Sequence, residues 1–250
     1  MIDLVDECGD DLSANGYKCE KLERYNMTSC ELFVKNKKES NKLGFEIGAY
    51  YILNAPYFSL LMPEHRQLLK NWLLGKVKHL FEQLKIKKSS KILVVGIGNP
   101  AIVADSFGVK VAQKIKIEPY KKKNRLFKLI PNTFLNTGIN AFDVIRLIVE
   151  FFDISAVILF DSLATQNLSR LGCSLQINDA GLTPGSATSN FGKSICKNTL
   201  GVPCIAVGVP MMISARALGH KSDVVFTEKD VEERVVFLSN IVAEVISELL

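Results

Sequence analysis

The sequence predicts an α/β protein, a three-layer sandwich in which a mostly parallel or mixed central sheet is flanked by helices. Three observations predict it. The short apolar runs Ile92–Val95, Ala156–Phe160 and Pro203–Val209 have the composition of strands buried on both faces. Between and around them lie stretches with apolar residues at helical spacing, which gives the strand–helix alternation of a covered sheet. The chain has 250 residues, 48% of them hydrophobic and 23% charged, enough for a sizeable core and too apolar for disorder.

The elements follow in order. Residues 1–42 are polar and broken by Gly9, Gly16 and the charged stretch Lys35–Lys42, with short strands expected at Lys18–Leu22 and Cys30–Val34. Glu46–Asn54 contains Tyr50-Tyr51-Ile52-Leu53 before Ala55-Pro56, a strand ended by proline. From Pro63 to Leu84, the residues Leu68, Leu69, Trp72, Leu73, Val77, Leu80, Phe81 and Leu84 form one apolar face, and proline suits the first turn of such a helix. Trp72 reads as its core anchor. The strand Ile92–Val95 stops at Gly96-Ile97-Gly98-Asn99-Pro100, a turn by composition. Asp105 and a helical pattern through Ile115 come next.

A loop is expected through Lys128, then Ile130–Asn140, and Gly138 before a helix over Ala141–Phe152. The Ala156 strand runs directly into Asp161. Ser174–Asn178 reads as a strand, Asp179–Ser186 as a glycine- and proline-rich loop, and Pro203–Val209 as a strand ending at Pro210. Val231–Leu250 closes the chain as a helix. With no internal repeat and no linker, residues 1–250 read as a single domain with an irregular N-terminal region 1–45.

Charge and cysteine content exclude several function classes. The net charge of +5 is mild, and the only dense basic run, Lys121-Lys122-Lys123, lacks interleaved aromatics, so a solvated loop is expected and no nucleic-acid partner. No run is long and apolar enough for a membrane span, so no membrane partner is expected. The six cysteines form no CxxC pair and have no close histidine, and they read as reduced thiols of a cytoplasmic protein. His65, His79 and His220 lie far apart and read as surface or helix residues.

Gly96-Ile97-Gly98-Asn99 after a strand suggests dinucleotide binding. However, Pro100 is awkward for the following helix, and Glu118, the candidate ribose ligand, follows no buried strand. The carboxylates are more informative. Neighbouring parallel strands lie about 4.8 Å apart, so Asp105 and Asp161, each after a buried strand, can converge. Two such aspartates share a proton, one serving as base for water and the other as acid. The residues also allow a simpler reading: Asp105 as a helix N-cap followed by Ser106, and Asp161 as a cap of the turn at Ser162. Asp179 reads as a turn carboxylate or as a third site residue.

Asp161–Ala187, DSLATQNLSRLGCSLQINDAGLTPGSA, and Lys197–Ala215, KNTLGVPCIAVGVPMMISA, resemble conserved blocks of the germination protease family, a set of atypical aspartic peptidases. Val94–Gly108, Ile2-Asp3-Leu4 and Gly48–Pro56 resemble further blocks in the same order. The resemblance implies a phosphorylase/hydrolase-like fold, as in hydrogenase maturation peptidases, and endoproteolysis of small acid-soluble spore proteins. It implies catalysis by Asp105 and Asp161, no metal and no organic cofactor, a homotetramer, and a location in the cytoplasm, the spore core in a sporulating organism. Gly98, Asn99, Ser162, Asp179, Gly181, Gly185 and Ser186 are then expected in the substrate-binding or active-site loops.

The sequence departs from the family at Val103-Ala104, at Ala180 and Ala187 in the glycine loop, and at Leu135–Gly138. It opens at the family's mature-like end, so little pro-segment is expected. Two alternatives stand beside the peptidase: a non-catalytic binding or scaffold protein on the same fold, and a hydrogenase-maturation-type peptidase, which requires an additional histidine.

Overall fold

The structure, a computed structural model, describes residues 3–7, 17–22, 26–55, 62–117, 125–185, 192–222 and 224–250. Ile2, Cys8, Gly9, Gly16, Pro56, Glu118, Lys121–Lys123, Ser186 and Ala187 lie outside the described residues.

Among the described residues, nine strands form one sheet: β1 (Lys18–Leu22), β2 (Met27–Val34), β3 (Gly48–Asn54), β4 (Ile92–Gly96), β5 (Leu126–Leu129), β6 (Ala156–Thr165), β7 (Ser174–Asn178), β8 (Cys204–Ser214) and β9 (Val225–Phe226). The spatial order is β1-β2-β3-β7-β8-β6-β4-β5, with β9 paired to β8. One half, β5-β4-β6-β8, is parallel, and the other, β7-β3-β2-β1, is antiparallel. The helices are α1 (Lys37–Leu43), α2 (Pro63–Gln83), α3 (Phe107–Lys114), α4 (Phe134–Thr137), α5 (Ala141–Phe152), α6 (Lys197–Leu200) and α7 (Val231–Leu249). The mixed sheet flanked by helices is the fold class expected.

The period of each segment explains which face it covers. Leu69, Leu73, Val77 and Leu80 of α2 pack with Phe107 and Val111 of α3 and with Val235, Leu238, Ile241, Val242 and Val245 of α7 over one sheet face. Trp72, placed as an anchor, is partly buried, and its indole N–H donates to Ser29 Oγ at 2.9 Å. On the opposite face, Phe142, Ile145 and Val149 of α5 cover Leu93, Val95, Val157 and Leu159. Beside them, Val5, Leu43 and Tyr50 close a separate cluster over Cys30, Leu32 and Ile52. Among the described residues, the sheet face between these last two clusters is left open.

The expected strands and helices recur with four corrections. β5 occupies part of the segment read as loop, because LFKL is too short to show a period and is stabilised by parallel pairing with β4. α1 forms in the charged stretch, capped by Asn36, whose side chain accepts from the Glu39 N–H at 3.0 Å. β8 passes through Pro210 to Ser214. Pro210 lies beyond the last β7 pair at Gly208 and opposite Leu163, where the β6–β8 register shifts, a place where a missing N–H is tolerated. Finally, Cys19 and Cys30 form a disulfide rather than standing as thiols. They are direct partners in the β1–β2 register, and sequence spacing does not reveal register. Cys173, Cys196 and Cys204 are buried thiols, as expected.

Candidate active site

Gly96 ends β4 with its Ile97 N–H donating to the Phe160 carbonyl at 2.8 Å, so the turn after β4 stays against β6. Gly98 then adopts φ +123°, and a Cβ there would lie 1.9 Å from the Asp105 carbonyl oxygen. Only glycine permits both the conformation and the approach. The turn folds back so that the Asn99 N–H donates to Asp105 Oδ2 at 2.8 Å, and the Asn99 side chain accepts from the Ala101 N–H at 3.0 Å. Gly108 brings the first turn of α3 down onto β6, since a Cβ there would meet the Phe160 carbonyl at 2.1 Å. Asp105, three residues before Gly108, is thereby brought into electrostatic contact with Asp161, the residue after Phe160.

Neither aspartate is the cap that the simpler reading supposed. The N-cap of α3 is Ser106, and Asp105 serves the turn behind it. Asp161 lies inside β6, one residue past the last β4 partner, because β8 accompanies β6 as far as Thr165. Its Oδ1 accepts from the Ser162 N–H at 2.9 Å.

The two carboxyl groups are unequal. Burial pushes the Asp105 carboxyl up from 3.8 to about 6, against the lowering effect of the Asn99 N–H. Asp161 is only 8% exposed. Burial first, then the charges of Asp105 and Asp3, hold it well above the usual carboxylate range, with the Ser162 N–H opposing. Both carboxyls are thus held above the usual carboxylate range, Asp105 by burial and Asp161 by burial together with the charges of Asp105 and Asp3.

Asp161 opens on a cleft of about 470 Å³. Directly paired residues of a sheet share a face, and the register sets Asp161, Gly208, Gln176 and Ile52 in one row and Leu159, Ala206, Asn178 and Tyr50 in the next. Ala206 and Gly208 are the low floor. Asp161 and Leu163 stand on one side, Gln176 and Asn178 on the other, with Asp3, the turn at Gly44–Glu46, and Gly181–Thr183 around the rim. Asp105 is not among the described lining residues; the cleft reaches the pair through Asp161.

The structure brings together Gly98, Asn99, Asp105 and Asp161, and it places Gly181 at the cleft. It separates others. Ser162 neighbours Asp161 in sequence, but strand alternation sends its side chain to the opposite face, where its buried Oγ has no partner among the described residues. Asp179 is turned to β3, accepting from the Ala49 N–H at 2.6 Å. Gly185 does not line the cleft, and Ser186 is outside the described residues. The histidines stand elsewhere: His65 and His79 on α2, and His220 after a short 3-10 helix; none lines the cleft.

Sequence reasoning missed Gln176, Asn178, Gly208 and the site role of Asp3. The alternation of Ser174, Gln176 and Asn178 with Leu175 and Ile177 carried the signal of a polar face on β7. All three polar residues are in fact buried.

A solved structure, the [NiFe] hydrogenase maturation protease HycI from Thermococcus kodakarensis KOD1, aligns at 21% identity over 67% of this chain and 98% of its own, with a TM-score of 0.38. Among curated relatives, the germination protease of Clostridium acetobutylicum is 28% identical over 227 residues, covering 86% of this chain and 69% of its own length. That of Caldanaerobacter subterraneus subsp. tengcongensis is 30% identical over 199 residues, 75% of this chain and 60% of its own. That of Bacillus mycoides is 29% identical over 191 residues, 70% of this chain and 51% of its own. The chain thus spans between about half and about two thirds of the length of these relatives. A family model described as germination protease matches residues 9–235, and the chain belongs to that family.

Proposed function

We propose that the chain is an endopeptidase, folded as one peptidase domain, in which Asp105 and Asp161 share a proton and activate water for attack on a peptide carbonyl. The observation that carries this reading is a pair of electrostatically linked carboxyl groups, both raised by burial, of which Asp161 opens on the cleft. Ionised Asp105 takes a proton from the attacking water. Asp161, protonated, donates to the carbonyl oxygen as negative charge develops there. Collapse of the tetrahedral intermediate expels the amine, which leaves with a proton delivered by the pair. Family membership supports a protein substrate, and small acid-soluble spore proteins are the proposed one, cut in the cytoplasm or spore core by a homotetramer.

The scaffold alternative rested on the altered glycine loop. Ala180 is buried in the cluster of Val5, Tyr50 and Ile52, which gives its side chain a packing role. No described histidine reaches the cleft to support the hydrogenase-maturation alternative. The test is cleavage of a small acid-soluble spore protein by the wild type beside Asp105→Asn and Asp161→Asn, each with its circular dichroism compared. Loss of cutting in both folded variants is expected. Cutting that survives both substitutions would refute the pair.

A further inference from the structure

Two polar side chains of β7, Gln176 and Asn178, line the cleft, and both are buried. They differ in what they have left to offer. Gln176 is committed at both ends of its amide: Nε2 donates to the Asp3 carbonyl at 3.1 Å, and Oε1 accepts from the Val5 N–H at 3.0 Å. Asn178 is committed at one end. Its Oδ1 accepts from the Ala180 and Gly181 N–H groups, each at 3.0 Å, the turn an asparagine makes with the backbone that follows it. An amide nitrogen accepts nothing, so two donors aimed at Oδ1 fix which end of the side chain faces the turn. Nδ2 is left over, with no partner among the described residues. Asn178 is only 5% exposed, so the surface through which Nδ2 can be met is the cleft that Asn178 lines. A buried amide with an unused donor costs free energy until an acceptor meets it.

The register fixes where this donor lies relative to the aspartates. Asn178 pairs with Ala206, and Asp161 pairs with Gly208, on opposite sides of β8. The two residues are thus two strands apart, about 10 Å, and offset by two positions along β8, about 7 Å. Between them lie only Ala206 and Gly208, where a methyl group and a hydrogen let a chain settle onto the sheet. An extended peptide crossing this floor covers about 12 Å, or about three to four residues. No lysine, arginine or histidine is among the described lining residues, so a substrate carboxylate finds no cation there. A neutral N–H low on the floor suits a neutral acceptor, and the one that every extended chain presents is its main-chain carbonyl.

Resting on the aspartate-pair reading above, we infer that Asn178 is a substrate-binding residue: its Nδ2 donates to a main-chain carbonyl of the protein substrate, about three to four residues from the bond that meets Asp161. The contact does not depend on the substrate's side chains. It holds the chain across β8 and sets which peptide bond reaches Asp161. The rim at Gly181–Thr183 is tied to the same residue through the Gly181 N–H, so the donor and that wall of the cleft are positioned together.

The test uses Asn178→Asp, which keeps an oxygen for the Ala180 and Gly181 N–H groups and removes the donor, and Asn178→Ser, which makes the same kind of turn without a charge. Both are made in an Asp105→Asn parent, which leaves the described lining of the cleft intact. Binding of a fluorescein-labelled small acid-soluble spore protein is followed by anisotropy. The Asn178 side-chain amide, assigned by its absence in Asn178→Asp, is followed by proton–nitrogen NMR of the parent. Each substitution should weaken binding about three- to tenfold, the scale of one neutral hydrogen bond, with an unchanged circular dichroism spectrum. The Asn178 amide signals should shift when the spore protein is added. A folded variant that binds as tightly as its parent overturns the inference. So does an Asn178 amide that stays in place on binding, and so does a parent that binds no spore protein. Should both substitutions unfold the protein, the amide shift in the parent decides by itself. These readouts need no turnover, so failure of the aspartate pair appears separately, as cleavage of the labelled protein by the Asp105→Asn parent.

Discussion

Substituting Asp105→Asn should make the protein more stable as it makes it less active. The unfolded carboxyl titrates near 3.8 and the folded one near 6. The native state therefore binds this proton more tightly than the unfolded state does. By linkage, stability is lost as pH rises from about 3.8 to about 6 and is level above that. The rise from 3.8 to about 6, at about 1.4 kcal/mol for each tenfold change in affinity for the proton, gives about 3 kcal/mol of destabilisation at pH 7, carried by the partly buried charge. Asparagine removes that titration and keeps an oxygen for the Asn99 N–H. It also removes the charge that raises Asp161, which acts in the same direction. Urea denaturation of wild type and variant at a series of pH values reads the effect. The gap between the two curves should widen by about 2.4 kcal/mol between pH 4 and pH 7, and at neutral pH the melting temperature should rise by roughly 6–12 °C. With Asp161→Asn the gap should likewise widen as pH rises, because burial and the charges of Asp105 and Asp3 raise that carboxyl too. Curves for Asp105→Asn that run parallel to the wild type from pH 4 to pH 8 would refute the claim that burial raises the Asp105 carboxyl.

Two further outcomes follow from backbone geometry. Gly98→Ala must place a Cβ 1.9 Å from the Asp105 carbonyl at φ +123°, so it should cost about 2–5 kcal/mol by urea denaturation and lower kcat by displacing Asp105. A variant as stable and active as the wild type would mean that the turn after β4 is not held against Asp105. The Cys19–Cys30 bridge closes a short loop between the paired strands β1 and β2, so dithiothreitol should lower stability by about 2–3 kcal/mol, and Cys19→Ala should abolish that sensitivity.

The elements whose period is long or whose composition is extreme were legible in the sequence. The 3.6-residue spacing of Leu69, Leu73, Val77 and Leu80 can bury only one face of a helix, and α5 begins and ends at the expected residues, bounded by Asn140 and Asp153. Asp105 and Asp161 were legible as candidates because the ends of buried parallel strands are where an α/β sheet admits ligands. Local sequence could not tell a helix cap from a coupled pair. That depended on Gly108 lying against Phe160 and on the charges that burial strengthens, both products of packing. Nor could it show that Asp179 turns to Ala49, or that Ser162 faces away from its neighbour's cleft.

Most of the strands, the long helices and the two candidate carboxylates are written in local sequence, since each depends on residues within a few positions of one another. The tertiary structure alone decided register, and register decided the site. Pairing Gly208 with Asp161 and Gln176 opens the floor of the cleft, pairing Cys19 with Cys30 closes a disulfide, and the Asp3–Glu7 segment covers the polar face of β7. These contacts join residues up to 173 positions apart, a separation over which side-chain period carries no information.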